Sequence, residues 1–125
     1  MLQMQSRDGR QDLGCWQKQQ GGILDSVALE SQKEYLSLNE ALKEPEKVYR
    51  LNLKSNDLTV LPPDIGKLTN VQVLNLWNNN LTILPPEISK LTNLQMLDLS
   101  GNGQLNLVTV CSTLTSFKKL HLLNL

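Results

Sequence analysis

Residues 51–73 read LNLKSNDLTVLPPDIGKLTNVQV, and residues 74–96 read LNLWNNNLTILPPEISKLTNLQM. The two segments align without a gap at a period of 23 residues, and 15 of the 23 positions are identical. Self-similarity at a fixed period of this size marks a chain of stacked units, each too small to bury its apolar face alone. The pattern continues outward: Leu51-Asn52-Leu53, Leu74-Asn75-Leu76, Leu97-Asp98-Leu99 and Leu123-Asn124-Leu125 are four copies of one short element. The first three are followed at a constant offset by Asn56, Asn79 and Asn102.

Each repeated position has a physical reading. Alternating Leu-x-Leu predicts a strand of three to five residues with its leucines on one side. The following asparagine suits a turn, because its amide bonds backbone groups and it tolerates unusual dihedrals. Stacked copies would join Asn56, Asn79 and Asn102 into an internal ladder. Leu58, Leu61 and Ile65, matched by Leu81, Leu84 and Ile88, fill the core from the outer side, and Leu68, Val71, Leu91 and Leu94 lead back to the next strand. Pro62-Pro63 and Pro85-Pro86 exclude a long helix and favour an extended or single-turn return. The third copy departs from the pattern: it lacks the double proline, and 26 residues separate Leu97 from Leu123. A 23-residue register ending at Leu120-His121-Leu122 is the alternative; the longer one keeps Leu-Asn-Leu and is preferred.

The segments LTVLPPDIGKLTNVQVLNL (58–76) and LTILPPEISKLTNLQMLDLSGN (81–102) fit the pattern Leu-x-x-Leu-x-Leu-x-x-Asn-x-Leu. They resemble the leucine-rich-repeat family, in the 23-residue LPPEI-type subtype found in bacterial and intracellular Ras-associated members. The resemblance covers about residues 46–125, and the lead-in SLNEALKEPEKVYRLNL (37–53) is similar to the first helix of many bacterial members. It implies an α/β solenoid: a short right-handed horseshoe with a parallel concave sheet of about four strands, preceded by a capping helix and used to bind proteins. Repeats start near 48, 71, 94 and 120.

Before the repeats the character changes. Residues 1–35 hold six glutamines within the first 20 positions, then Gly21-Gly22, and apolar residues without sustained period. Such a stretch buries too little apolar surface to offset its ordering entropy, so a mostly disordered extension is expected, with a short helix near 23–34. A partner-binding arm using Trp16 is the functional alternative. Residues 36–125 form the repeat domain. Ser37-Leu38-Asn39-Glu40 reads as a capping box, with a helix at about 38–44 ended by Pro45.

Composition narrows the function. Lys plus Arg and Asp plus Glu are 12 each, so the net charge is zero and the basic surplus that grips nucleic-acid phosphates is missing. Leucine occurs 27 times against 4% aromatics. No apolar run has the length of a membrane span or signal peptide, which predicts no membrane partner and a cytoplasmic location. Asp12-Leu13-Gly14-Cys15 only faintly suggests lipidation, and Asn80-Leu81-Thr82 is an incidental glycosylation triplet. Cys15 and Cys111 read as free thiols in a reducing compartment. His121 is the sole histidine and sits beside a strand, Gly101-Asn102-Gly103 is a turn, and Asp57, Asp64, Glu87 and Asp98 are dispersed. No nucleophile triad, phosphate loop, metal spacing or carboxylate pair emerges, so no enzyme, metal or cofactor is expected.

The remaining candidate is the concave face, where side chains flanking the core leucines point outward. Arg50, Asn52, Lys54, Val73, Asn75, Trp77, Met96 and Asp98 are the expected partner-binding residues, joined by Ser100, Leu122 and Asn124. Asn52, Asn75, Asp98 and Asn124 form a polar column; Val73, Met96 and Leu122 form an apolar strip beside Trp77. Four strands give a face of roughly 300 Å², short of the roughly 800 Å² each partner contributes to a standard interface. Leu120, Leu122, Leu123 and Leu125 lie on a last strand with no polar cap, which predicts either a longer protein or self-association through an open C-terminal edge. The function expected is a non-enzymatic protein-interaction module. The alternative is an N-terminal piece that targets or regulates a larger enzyme such as a kinase, GTPase or ubiquitin ligase.

Overall fold

A computed structural model of the chain describes residues 3–5, as backbone, and residues 31–125. Six short strands form one parallel sheet: β1 (Gln3–Gln5), β2 (Glu34–Tyr35), β3 (Arg50–Asn52), β4 (Val73–Asn75), β5 (Met96–Asp98) and β6 (Leu122–Asn124). Their spatial order is β1-β6-β5-β4-β3-β2. The four central strands follow the sequence repeat. Leu51 stands opposite Leu74, Leu74 opposite Leu97, and Leu97 opposite Leu123, so the third copy does span 26 residues.

The core lies on the side of the sheet to which the leucines alternate. Leu51, Leu74, Leu97 and Leu123 are buried from the strands, and Leu61, Ile65, Leu68, Leu81, Ile88 and Leu91 are buried from the outer layer. The double prolines shape that layer. Pro62 and Pro85 are extended, with ψ of 148° and 150°, and each delivers the next proline to the first position of a 3-10 turn, Pro63–Lys67 and Pro86–Lys90. Proline suits that position because the first amide of a helical turn has no partner to lose.

Without prolines the third copy winds into a true helix, α2 (Leu107–Leu114), capped by Asn106 Oδ1, which accepts from the amides of Val108 and Thr109. Phe117 takes the place of Leu68 and Leu91 and is the largest fully buried side chain among the described residues. The sequence gap of three extra residues is thereby absorbed on the convex side, leaving the strand register intact.

Both ends of the stack differ from expectation. Helix α1 spans Leu38–Lys43, with Ala41 fully buried, but Ser37 makes no side-chain cap. Glu40 does not reach back either, because its carboxylate pairs with Lys43 Nζ at 3.0 Å, one helical turn on. Residues 31–35, expected as the end of a short helix, are a turn followed by β2. Buried Tyr35 docks there and Glu34 pairs with Arg50 at 3.3 Å. The sheet thus has six strands where about four were expected. The C-terminal edge is not open: Gln3–Gln5 lies along β6, Met4 opposite Leu123. The disorder expected elsewhere in 1–30, Trp16 and the 12–15 stretch lie outside the described residues. Cys111 is disulfide-bonded and half-buried on α2, which corrects its reading as a buried free thiol; Cys15 is outside the described residues.

Candidate functional site

The concave face is positioned by what happens just after each strand. The chain must bend sharply there, and in the first three copies the residue that bends it is left-handed: Ser55 with φ 55°, Asn78 with φ 57° and Gly101 with φ 77°. A Cβ on Gly101 would come within 2.8 Å of the Asn78 amide nitrogen, so the third bend needs glycine for space as well as for dihedral freedom. One residue further on stand the ladder asparagines. Asn79 Oδ1 accepts from the amides of Asn56 and Leu58, while its Nδ2 donates to the carbonyls of Leu53 and Leu76, all at 3.0 Å. Asn102 repeats the arrangement one copy later, accepting from Leu81 and donating to Leu76 and Leu99. Asn56 differs: it is exposed, and its contribution is the amide it gives to Asn79. Helix α1 stands where a preceding turn would have offered its amides.

A second set of asparagines clamps the opposite end of the strands. Asn70 Nδ2 donates to the Glu46 carbonyl and Asn93 Nδ2 to the Thr69 carbonyl, and Lys119 Nζ donates to Asn93 Oδ1 at 2.7 Å. Each copy is therefore pinned to its neighbour at both ends.

The polar column that sequence reasoning set aside for a partner is largely occupied with local work. Asn52, Asn75 and Asp98 each accept the amide two residues ahead, from Lys54, Trp77 and Ser100. Asp98 Oδ1 also accepts from the Ser100 hydroxyl, and Asp98 Oδ2 accepts from Asn124 Nδ2 at 3.3 Å. These Asx turns are what short polar side chains do at strand ends. Arg50 is likewise engaged, donating to Glu34 and to the Gln32 carbonyl at the β2 edge. Lys54 is exposed, and Trp77 is half-buried with its ring edge beside the Gly101 bend.

Between these columns runs a shallow groove of about 190 Å³. Val73, Met96 and Leu122, all half-buried, form its apolar floor, and Asn75, Asp98 and Asn124 its polar wall. Asn124 Oδ1 is buried and lacks a hydrogen-bond partner among the described residues. The groove so brings together Val73, Asn75, Met96 and Asp98; Arg50 and Lys54 sit outside it, toward the β2 edge. A larger cleft of about 420 Å³ lies at that end, between α1 and the first repeat, lined by Leu36, Leu38, Leu53, Asn56, Leu58 and Leu61. No sequence signal marked it, because it exists only where the helix replaces a turn.

Titration is altered at the helix rather than on the concave face. The Tyr35 hydroxyl donates to Glu44 Oε2 at 2.9 Å, which raises the tyrosine above its ordinary value. The same bond, with Lys47 beside it, holds the Glu44 carboxyl below the usual carboxylate range. Among the described residues no group of His, Cys, Asp and Glu could hold a metal ion, and no helix is long and apolar enough to cross a membrane.

Residues 46–103 match the family model described as leucine rich repeat. The fold is a leucine-rich-repeat solenoid. A solved leucine-rich-repeat protein of Leptospira interrogans is 35% identical over a match covering 75% of this chain and 29% of that one, with a TM-score of 0.47. The chain thus spans under a third of that protein's length. No curated protein matches it. Within the solenoid, the 23-residue copies at 51–73 and 74–96 fall inside the matched stretch, and the helical third copy extends beyond it.

Proposed function

We propose that this solenoid is a non-enzymatic interaction module that takes a protein segment on its concave sheet. The observation that supports this most is the groove between Val73, Met96 and Leu122, with Asn75, Asp98 and Asn124 as its polar wall. A segment that inserts an aliphatic side chain there and offers an N–H or ammonium donor to the Asp98 carboxylate would remove apolar surface from water and gain a charge-assisted hydrogen bond together. Trp77, half-buried beside the Gly101 bend and outside the groove's lining, would supply rigid contact area to a partner that extends past the groove. Six strands of two or three residues give a face of roughly 24 Å by 10 Å, about 240 Å², so the partner must also use surface beyond the sheet to reach a standard interface.

The 23-residue LPPEI-type assignment and a signalling or scaffold role belong to the same proposal. The disulfide at Cys111 removes the free-thiol argument for a reducing compartment. The test is affinity capture with chemical cross-linking, using full-length chain as bait. Trp77→Ala should lower partner recovery by about 30-fold, the loss of a 2 kcal/mol anchor. Met96→Lys should abolish it, while Lys43→Ala on α1 leaves it intact. Cross-links that persist in both concave variants would overturn the reading.

A further inference from the structure

The stack is as dry at its last layer as in its middle. Val110, Leu114 and Phe117 on the α2 side and Leu120, Leu123 and Leu125 on the β6 side are all 3% exposed or less. Inside a solenoid the following copy closes such a layer off. Among the described residues only Gln3–Gln5 stands beyond β6, and three residues along one strand cover the sheet end of the layer but not its convex end.

The convex end carries a bond that leads out of the layer. Cys111, half-buried on α2, is disulfide-bonded, and the sequence holds one other cysteine, Cys15. Cys15 follows Gln5, the last residue of β1, by ten positions, which extend to roughly 35 Å. The way from the outer edge of β6 across the layer to α2 is roughly 10–20 Å, a packing distance plus the helix itself. β1 and Cys111 thus mark opposite sides of one end face, and ten residues cross it with length to spare. The nine residues between Gln5 and Cys15, SRDGRQDLG, comprise six polar or charged residues, two glycines and Leu13. A polar outer surface is what the terminal unit of a solenoid needs.

We propose that Cys15 is the partner of Cys111, and that residues 6–15 of this chain occupy the end face as the solenoid's C-terminal cap. β1 fastens the cap on the sheet side and the disulfide fastens it on the convex side. The bond is also a release. A dithiol reductant that gives up two electrons and two protons closes into a cyclic disulfide and leaves Cys15 and Cys111 as thiols. The cap is then held by three residues at a sheet edge, which open at small cost, and the apolar end face meets water.

The test uses full-length chain refolded in a buffer of reduced and oxidised glutathione. Tryptic digestion without reductant should yield QDLGCWQK (11–18) linked to LTNLQMLDLSGNGQLNLVTVCSTLTSFK (91–118), and from monomeric chain. Cysteines that stay free, or that join two chains, would overturn the pairing. Amides of α2 and β6 should exchange at least tenfold faster in Cys15→Ser and Cys111→Ser than in the oxidised chain, with β3 unchanged. A second measurement needs no variant. Under native conditions trypsin should cut the oxidised chain after Arg7 and Arg10 at least tenfold more slowly than it cuts a free peptide of residues 1–18. Exchange that ignores the loss of the bond, or cutting at the rate of the free peptide, would sink the cap.

Discussion

At the scale of single residues, the two halves of the asparagine pattern separate. Asn79 satisfies backbone groups from two copies at once, and it is 4% exposed. Asn79→Ala strips their side-chain partner from the amides of Asn56 and Leu58 and from the Leu53 carbonyl, while the Leu76 carbonyl keeps Asn102, and should lower stability by about 2–4 kcal/mol in urea unfolding. Asn56→Ala, at an exposed position, should stay within about 0.5 kcal/mol. An equal loss at both would mean that the ladder is not what holds the turns. The residue just before each ladder asparagine shows the limit of sequence reading. Ser55, Asn78 and Gly101 look unrelated, yet all three adopt the left-handed bend. Only glycine signals that need by composition; serine and asparagine serve many other ends.

At the scale of elements, the lead-in helix was legible but its fastening was not. Its position followed from apolar spacing and Pro45, and the expected capping box gave way to a Glu40–Lys43 pair. What fixes it instead is Tyr35, on a strand the sequence offered no sign of, reaching Glu44 at the helix end. Because Glu44 is held below its ordinary value in the fold, its contribution is present above roughly pH 4.3 and fades as pH falls through its lowered folded value. Tyr35 is raised, so its share is present below roughly pH 10 and fades above it. Tyr35→Phe should therefore lower the thermal midpoint at pH 7 and leave it unchanged at pH 2. Thermal scans across that range would contradict the bond if the gap persisted in acid. The third copy was legible as irregular, and its 26-residue register was recoverable from Leu-Asn-Leu alone. That its convex side is a helix was not, since residues 107–114 mix β-branched and small polar side chains.

At the scale of the molecule, stability runs along one axis. Each copy touches its neighbours, so a defect at one end is expected to stay near that end. Phe117→Ala empties the largest buried site of the third copy and should cost about 3–5 kcal/mol. Hydrogen exchange should report faster opening around β6 and α2 with little change at β3; uniform acceleration would mean the stack unfolds as one unit. The solenoid itself could be read from two aligned segments because its periodicity is local. The seat of β1 on β6 could not, because it joins residues more than a hundred positions apart through backbone bonds that any sequence can make.

The helix in the third copy also acts on shape. Elsewhere the convex layer is an extended proline pair and a single tight turn; α2 is a full helix, about 10 Å across. The strand register is unbroken on the other side, so the extra thickness is expected to act as a wedge, splaying the back of the stack and tightening the arc of its front. The wedge stands behind β5 and β6, where the groove also lies. The three added residues are thus expected to set the local radius of the surface that a partner would have to match.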